Sequence, residues 1–216
     1  MCYIAVMKYR EKYLSRAKIA ARALSFVPFL RLAGLNGSIV RGEDTQKSDI
    51  DFLIIGESRR LYTVRFFATL YVALTGWRRH GKRVAGRICL NCFLNDKSPD
   101  IRPKDPRSNK KVAWAYKYTV PLVQEGRITE KFFWSNDWFL NYKVPGQKYS
   151  ERLQDGFFRF FPIRRRKISE KVLSGRFGDW LEKKLMDYQQ RRILKGKNLF
   201  DETVATKSEI RLHPKK

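Results

Sequence analysis

Apolar and polar positions along the chain alternate in ways that predict a mixed fold. From Lys8 to Phe26, Tyr9, Tyr13, Leu14, Ala17, Ala20, Ala21 and Leu24 recur at helical spacing, with Lys and Arg between them. Pro28 ends that helix. Phe29 to Leu35 alternates as a short strand, and Asp49 to Gly56 reads as a second. Ser38 to Gly42 fits one helical turn, with a polar connector, Glu43 to Ser48, before the second strand. A long helix, Arg59 to His80, is apolar over much of its circumference and is expected to lie buried on the sheet.

Val84 to Leu94 is the third strand candidate, followed by a loop to Ser108. Lys110 to Val123 reads as a helix broken at Pro121, and Ile128 to Leu140 as one or two short helices rich in Phe and Trp. Val144-Pro145-Gly146 is a turn. Ile168 to Leu194 reads as one helix, weakened early by Gly175 and Gly178. The tail from Lys195 is charged and expected to be partly ordered. These elements predict an α+β fold: a small mixed sheet with flanking helices over residues 1–145 (core 28–96), then a basic helical extension over 146–216.

Charge changes the picture. The chain holds 46 Lys and Arg against 21 Asp and Glu, a net charge of +25 that calls for polyanionic partners such as a nucleoside triphosphate, RNA or an anionic surface. Between Glu57 and Asp96 there is no acidic residue, while Arg59, Arg60, Arg65, Arg78, Arg79, Lys82, Arg83 and Arg87 are all basic. Phe157 to Lys167 interleaves aromatics with Arg, a pattern that stacks on bases, docks at a membrane interface or packs inward. Three cysteines, Cys2, Cys89 and Cys92, offer no disulfide framework and suggest a reducing compartment. In a regular strand Cys89 and Cys92 would point to opposite faces, and no second Cys pair or His cluster completes a zinc site. No signal peptide is evident, and the longest apolar window, Phe66 to Trp77, is too short to span a bilayer, so a cytoplasmic protein is expected.

The candidate chemistry sits in Asn36-Gly37-Ser38, ten residues, then Asp49-Ile50-Asp51-Phe52 and an apolar run. Side chains two apart on a strand share a face, so Asp49 and Asp51 project together. Paired carboxylates repel unless a cation lies between them, and an oxygen-rich pair suits Mg²⁺ (or Mn²⁺), which keeps substrate phosphates as further ligands. Gly37 lets backbone approach a ligand, and Ser38 would open a helical turn whose N–H groups favour phosphate. Arg41 and Arg65 are the basic candidates for phosphate contact.

This order and spacing resemble the DNA polymerase beta-type nucleotidyltransferase superfamily, and over residues 20–145 a group of prokaryotic nucleotidyltransferase-domain proteins. The resemblance implies transfer of a nucleoside monophosphate from an NTP to an acceptor hydroxyl, with Asp49 and Asp51 as catalytic metal ligands. It also implies a third carboxylate on the strand after the long helix. That strand carries no acid here: Asn91 stands in the expected place, with Asp96 and Asp100 beyond it. Three readings follow: an active transferase, a nucleotide-binding regulator that has lost catalysis, and a nucleic-acid-binding module on the same scaffold.

Overall fold

The computed structural model describes residues 2–81, 83–156, 166–195 and 203–212, with residues 2–8 described by their backbone alone. Helix α1 (Cys2–Leu24) leads through a turn into β1 (Leu30–Asn36). A one-turn helix, α2 (Ser38–Arg41), precedes β2 (Ile50–Gly56), α3 (Leu61–Leu74) and β3 (Ile88–Asn95). Then come α4 (Asn109–Tyr116), β4 (Val120–Gln124), α5 (Ile128–Ser135), α6 (Gln147–Gly156), α7 (Lys167–Val172), α8 (Gly175–Lys195), β5 (Val204–Ala205) and β6 (Glu209–Arg211). The strands form one mixed sheet in the order β4-β1-β2-β3-β6-β5. β2 and β3 run parallel through the α3 crossover, and the other pairs are antiparallel.

Each sheet face carries its own core. Phe52 and Ile54 of β2 pack with Leu35, Leu61, Val64 and Ala21 on the side of α1 and α3. Leu53 and Ile55 pack with Cys92, Val112, Ala113 and Phe132 on the side of α4 and α5. The alternation along β2 is therefore apolar on both faces, as a central strand requires. Asp49 and Asp51 share parity with Leu53, which assigns them to the α4 side of the sheet.

Several expectations need correction. The helix expected over 110–123 stops at Tyr116, and Pro121 lies in β4 instead of breaking a helix. β4 is the sheet's edge strand, where a residue without an N–H is tolerated, and the register slips next to it, between Ala33 and Gly34. The helix expected over 59–80 is shorter, ending at Leu74 before Gly76 at φ +75°. The helix expected over 168–194 is two helices, parted where Gly175 takes φ +73°. The tail, expected to be partly ordered, contributes β5 and β6, and β6 pairs with β3 from Cys92–Arg211 to Leu94–Glu209. The aromatic-Arg segment lies outside the described residues over 157–165, as does His213.

α3 and α8 are joined by a specific device. Glu182 of α8 accepts from the backbone N–H groups of Tyr62 (2.9 Å) and Thr63 (2.8 Å) and from the Thr63 hydroxyl (2.7 Å). A carboxylate thus fills orphan donors at the positive end of α3, where Arg60 supplies no side-chain cap. No helix among the described residues is long and apolar enough to cross a membrane.

Candidate active site

Asp49 precedes β2 and Asp51 is its second residue, and the polar connector before them is pinned from outside. Asp44, almost fully buried, pairs with Arg10 at 2.8 Å, and the Tyr9 and Tyr13 hydroxyls donate to the carbonyls of Asp44 and Gln46. Asp44 therefore serves the α1 contact. Across the sheet, Asn36 of β1 pairs with Asp51, and Asp51 pairs with Cys89 of β3. Directly opposed side chains share a face. The result is a row of Asn36, Asp51 and Cys89 on three adjacent strands, with Asp49 beside it. One ligand atom from each of Asp49, Asp51 and Cys89 lies within 4.8 Å of the others.

Gly37 is required here by both backbone and space. Its φ of 77° and ψ of −152° belong to a region essentially restricted to glycine. A Cβ on it would meet Oδ2 of Asp51 at 2.7 Å. The turn therefore lies flat against the carboxylate, and Ser38 opens α2 at its mouth, half-buried. The Gly37 N–H is already bonded to the Ala115 carbonyl at 3.1 Å, which ties the turn to α4.

The expected third strand position proves different in kind. Phe52 pairs with Leu90 and Leu53 with Cys92, so Asn91 is the extra residue of a β-bulge. The bulge puts Cys89 and Cys92 on the same face, correcting the expectation that they oppose. Cys92 lies in the α4-side core, and the buried Tyr116 hydroxyl bonds to its sulfur. The Asn91 amide donates to Oδ1 of Asp51 at 2.9 Å. Cys89, the β3 residue paired with Asp51, joins the two aspartates on their face, so no acid of β3 stands there. Burial pushes the Cys89 thiol well above its ordinary pKa, and the carboxylates of Asp51 and Asp49 push it further.

Neither later acid reaches the pair. Asp96 sits at the opposite end of β2, its N–H bonded to the Gly56 carbonyl and its Oδ1 accepting from Ser58 N–H at 2.8 Å. Asp100 caps its own loop through Arg102 N–H.

A cation does enter the site. Arg79 places Nη1 2.6 Å from Oδ2 of Asp49 and 3.7 Å from the Cys89 sulfur. Burial lowers the guanidinium's pKa, but Cys89 and Asp49 outweigh that and leave it above the ordinary value. The arm carrying Arg79 is anchored by its N–H to the Ile88 carbonyl and lies between Gly76 and Gly81, both at positive φ.

The other two candidate arginines are engaged elsewhere. Arg41 is held by Glu43 (2.8 Å) and the Trp114 carbonyl (2.6 Å). Arg65 lies on the α3 face, bonded to Gln189 of α8 at 2.6 Å, over the Phe93 ring. Burial, with Arg78 and Arg192 nearby, brings its pKa down to about 10. The structure thus brings Gly37, Ser38, Asp49 and Asp51 together, places Arg65 against α8, and holds Arg41, at the end of the same turn as Ser38, on Glu43 and the Trp114 carbonyl. Arg79 and Cys89 are the members that sequence reasoning did not single out. The signal for Arg79 was only its place in an acid-free basic run.

The donor set fits a divalent ion in part. Two carboxylates on one face suit a hard cation such as Mg²⁺, whereas sulfur is a poor partner for it. The model of the nucleotidyltransferase-domain family matches residues 17–124, half of the chain, and spans Gly37, Ser38, both aspartates, Arg79 and Cys89. The chain belongs to that family. No curated protein and no solved structure matches it. The matched segment runs from within α1 to the last residue of β4, so it takes in the four strands β1 to β4 with α2, α3 and α4.

Proposed function

We infer that this nucleotidyltransferase-domain protein transfers a nucleoside monophosphate from an NTP to an acceptor hydroxyl. The observation that carries the reading is the Asp49–Asp51 pair packed against Gly37 at the start of the central strand. Asp49 and Asp51 would hold a divalent ion, Mg²⁺ or Mn²⁺. When bound, the ion would neutralise triphosphate charge and favour ionisation of the attacking hydroxyl. Gly37 lets the turn lie against the Asp51 carboxylate, so that Ser38, the next residue, would meet a phosphate held there. Asn91 fixes the orientation of the Asp51 carboxylate by donating to Oδ1. Arg79 supplies a positive charge beside Asp49, on the side where Cys89 leaves the carboxylate count one short.

The test is incubation of the full chain with each labelled NTP, Mg²⁺ or Mn²⁺, and RNA, protein or small hydroxyl acceptors. Transfer that disappears in the Asp49→Ala, Asp51→Ala double variant supports the reading, and no transfer to any acceptor overturns it. Cys89 in place of a third acid favours one second reading, nucleotide binding without turnover. Calorimetry with ATP and GTP in Mg²⁺ decides that case, since absence of binding removes it.

A further inference from the structure

We propose that Cys89 is a metal ligand, so that Asp49, Asp51 and Cys89 form a site for a borderline divalent ion, Zn²⁺ in preference to Mg²⁺. The proposal rests on the metal-dependent reading of the same aspartates, but it concerns which ion they bind.

Geometry comes first. The three ligand atoms already lie within 4.8 Å of one another, and they come from the same end of adjacent strands. Closing on one ion, with Zn–S near 2.3 Å and Zn–O about 2.0–2.2 Å, requires the three side chains to converge and the Arg79 guanidinium to leave its place between Asp49 and the sulfur. Sheet pairing fixes the backbone of Asp51 and Cys89, and Asp49 directly precedes the paired Ile50, so the set is largely preorganised.

Polar groups around the three ligands point the same way. Asn36, in the same row and only 2% exposed, has an Nδ2 with no partner among the described residues. Asn91 spends its Nδ2 on Asp51 and leaves its shielded Oδ1 without a partner. Buried polar atoms are nearly always satisfied. An ion with its remaining water or phosphate ligands would supply the donor for Asn91 Oδ1 and an acceptor for Asn36 Nδ2. Arg79 shows where positive charge rests in this site, between Asp49 and the sulfur. An arriving ion takes over that role as the guanidinium withdraws.

Selectivity follows from the donor atoms. Thiolate favours Zn²⁺ and its softer congeners, whereas Mg²⁺ keeps to oxygen. As the S–metal bond forms, the thiol proton leaves to solvent, and two carboxylates and one thiolate balance the dication with one charge to spare.

Co²⁺ is the spectroscopic stand-in. The full chain is titrated with Co²⁺ in excess Mg²⁺, and sulfur-to-cobalt charge-transfer absorption is followed. The expected result is a band that saturates at one equivalent, persists in Cys92→Ser and vanishes in Cys89→Ser, with Co²⁺ affinity down about tenfold or more. Should Cys89→Ser not fold, Asp51→Asn must remove the band instead. No band in the parent chain, or a band that survives in folded Cys89→Ser, overturns the proposal, as does a band that survives Asp51→Asn where Cys89→Ser does not fold. Labelled-NTP transfer measured on the same samples separates the two ideas: transfer without a band sinks the thiolate ligand alone, and a band without transfer sinks the transferase reading alone.

Discussion

The two ends of β2 hold acids of opposite fate. At the Gly56 end, every carboxylate is consumed by structure. Arg31 bridges Glu57 and Glu125, and Arg166, its side chain 1% exposed, pairs with Glu125 and with Glu170 at 3.0 Å. Asp96 accepts a backbone N–H there. At the Asp51 end, two carboxylates share one face with a thiol and with the Arg79 guanidinium. Acid count therefore says little about where catalysis lies. A carboxylate paired off with arginines is a fastener, whereas two carboxylates gathered on one face with a thiol offer a place for a metal.

Variants at the two ends should separate activity from stability. The largest effect is expected from Asp51→Asn, which should lower nucleotidyl transfer by about a thousandfold, the scale of losing a preorganised electrostatic contact. Its denaturation midpoint should barely move, as urea unfolding would show. At the other end, Arg166→Met should cost about 2 kcal/mol in the same unfolding experiment. Breaking a buried ion pair costs more than that, but Glu125 and Glu170 retain some access to water. The folded fraction of that variant should keep its transfer rate, and a loss of rate per folded molecule would break the contrast. Gly37→Ala should cost about 1–3 kcal/mol through its backbone region and also displace Asp51, so it alone should harm both stability and turnover. The mildest change is Asn91→Asp. It replaces a donor to Asp51 with a third carboxylate beside the Asp49–Asp51 pair, which should cost about 1 kcal/mol in chelator. Added Mg²⁺ should reverse that loss, measured as a rise in melting temperature, and no rise would mean that β3 cannot lend an oxygen to the site.

The front half of the site was readable because its information is local. Gly37-Ser38 and Asp49-Ile50-Asp51 lie within one strand–turn–strand unit, where period-two alternation and spacing suffice. The α+β architecture was readable for the same reason. The remainder depends on partners far along the chain. Whether Cys89 and Cys92 share a face turns on one inserted residue, Asn91, and regular alternation cannot show a bulge. Pro121 looked like a helix breaker because only the sheet order reveals β4 as an edge. β6 is three residues long and gains its form by pairing with β3, so its own sequence carried little signal. Arg79 resembled seven other basic residues until its backbone bond to Ile88 brought it beside Asp49.

The Arg79 arm gives the site two unequal rates of motion. Asp51 and Cys89 lie on central strands whose amides should exchange with solvent only when the whole sheet opens. Arg79 is joined to β3 by its N–H bond to Ile88, beside the Ile88 N–H bond to Trp77, in a segment outside the named strands with positive-φ glycines on either side. The anions of the site keep time with the fold, whereas its resident cation keeps a faster clock. Deuterium should therefore reach the Arg79 amide well before that of Phe52, and a ligand that displaces the guanidinium need wait only for the quicker of the two.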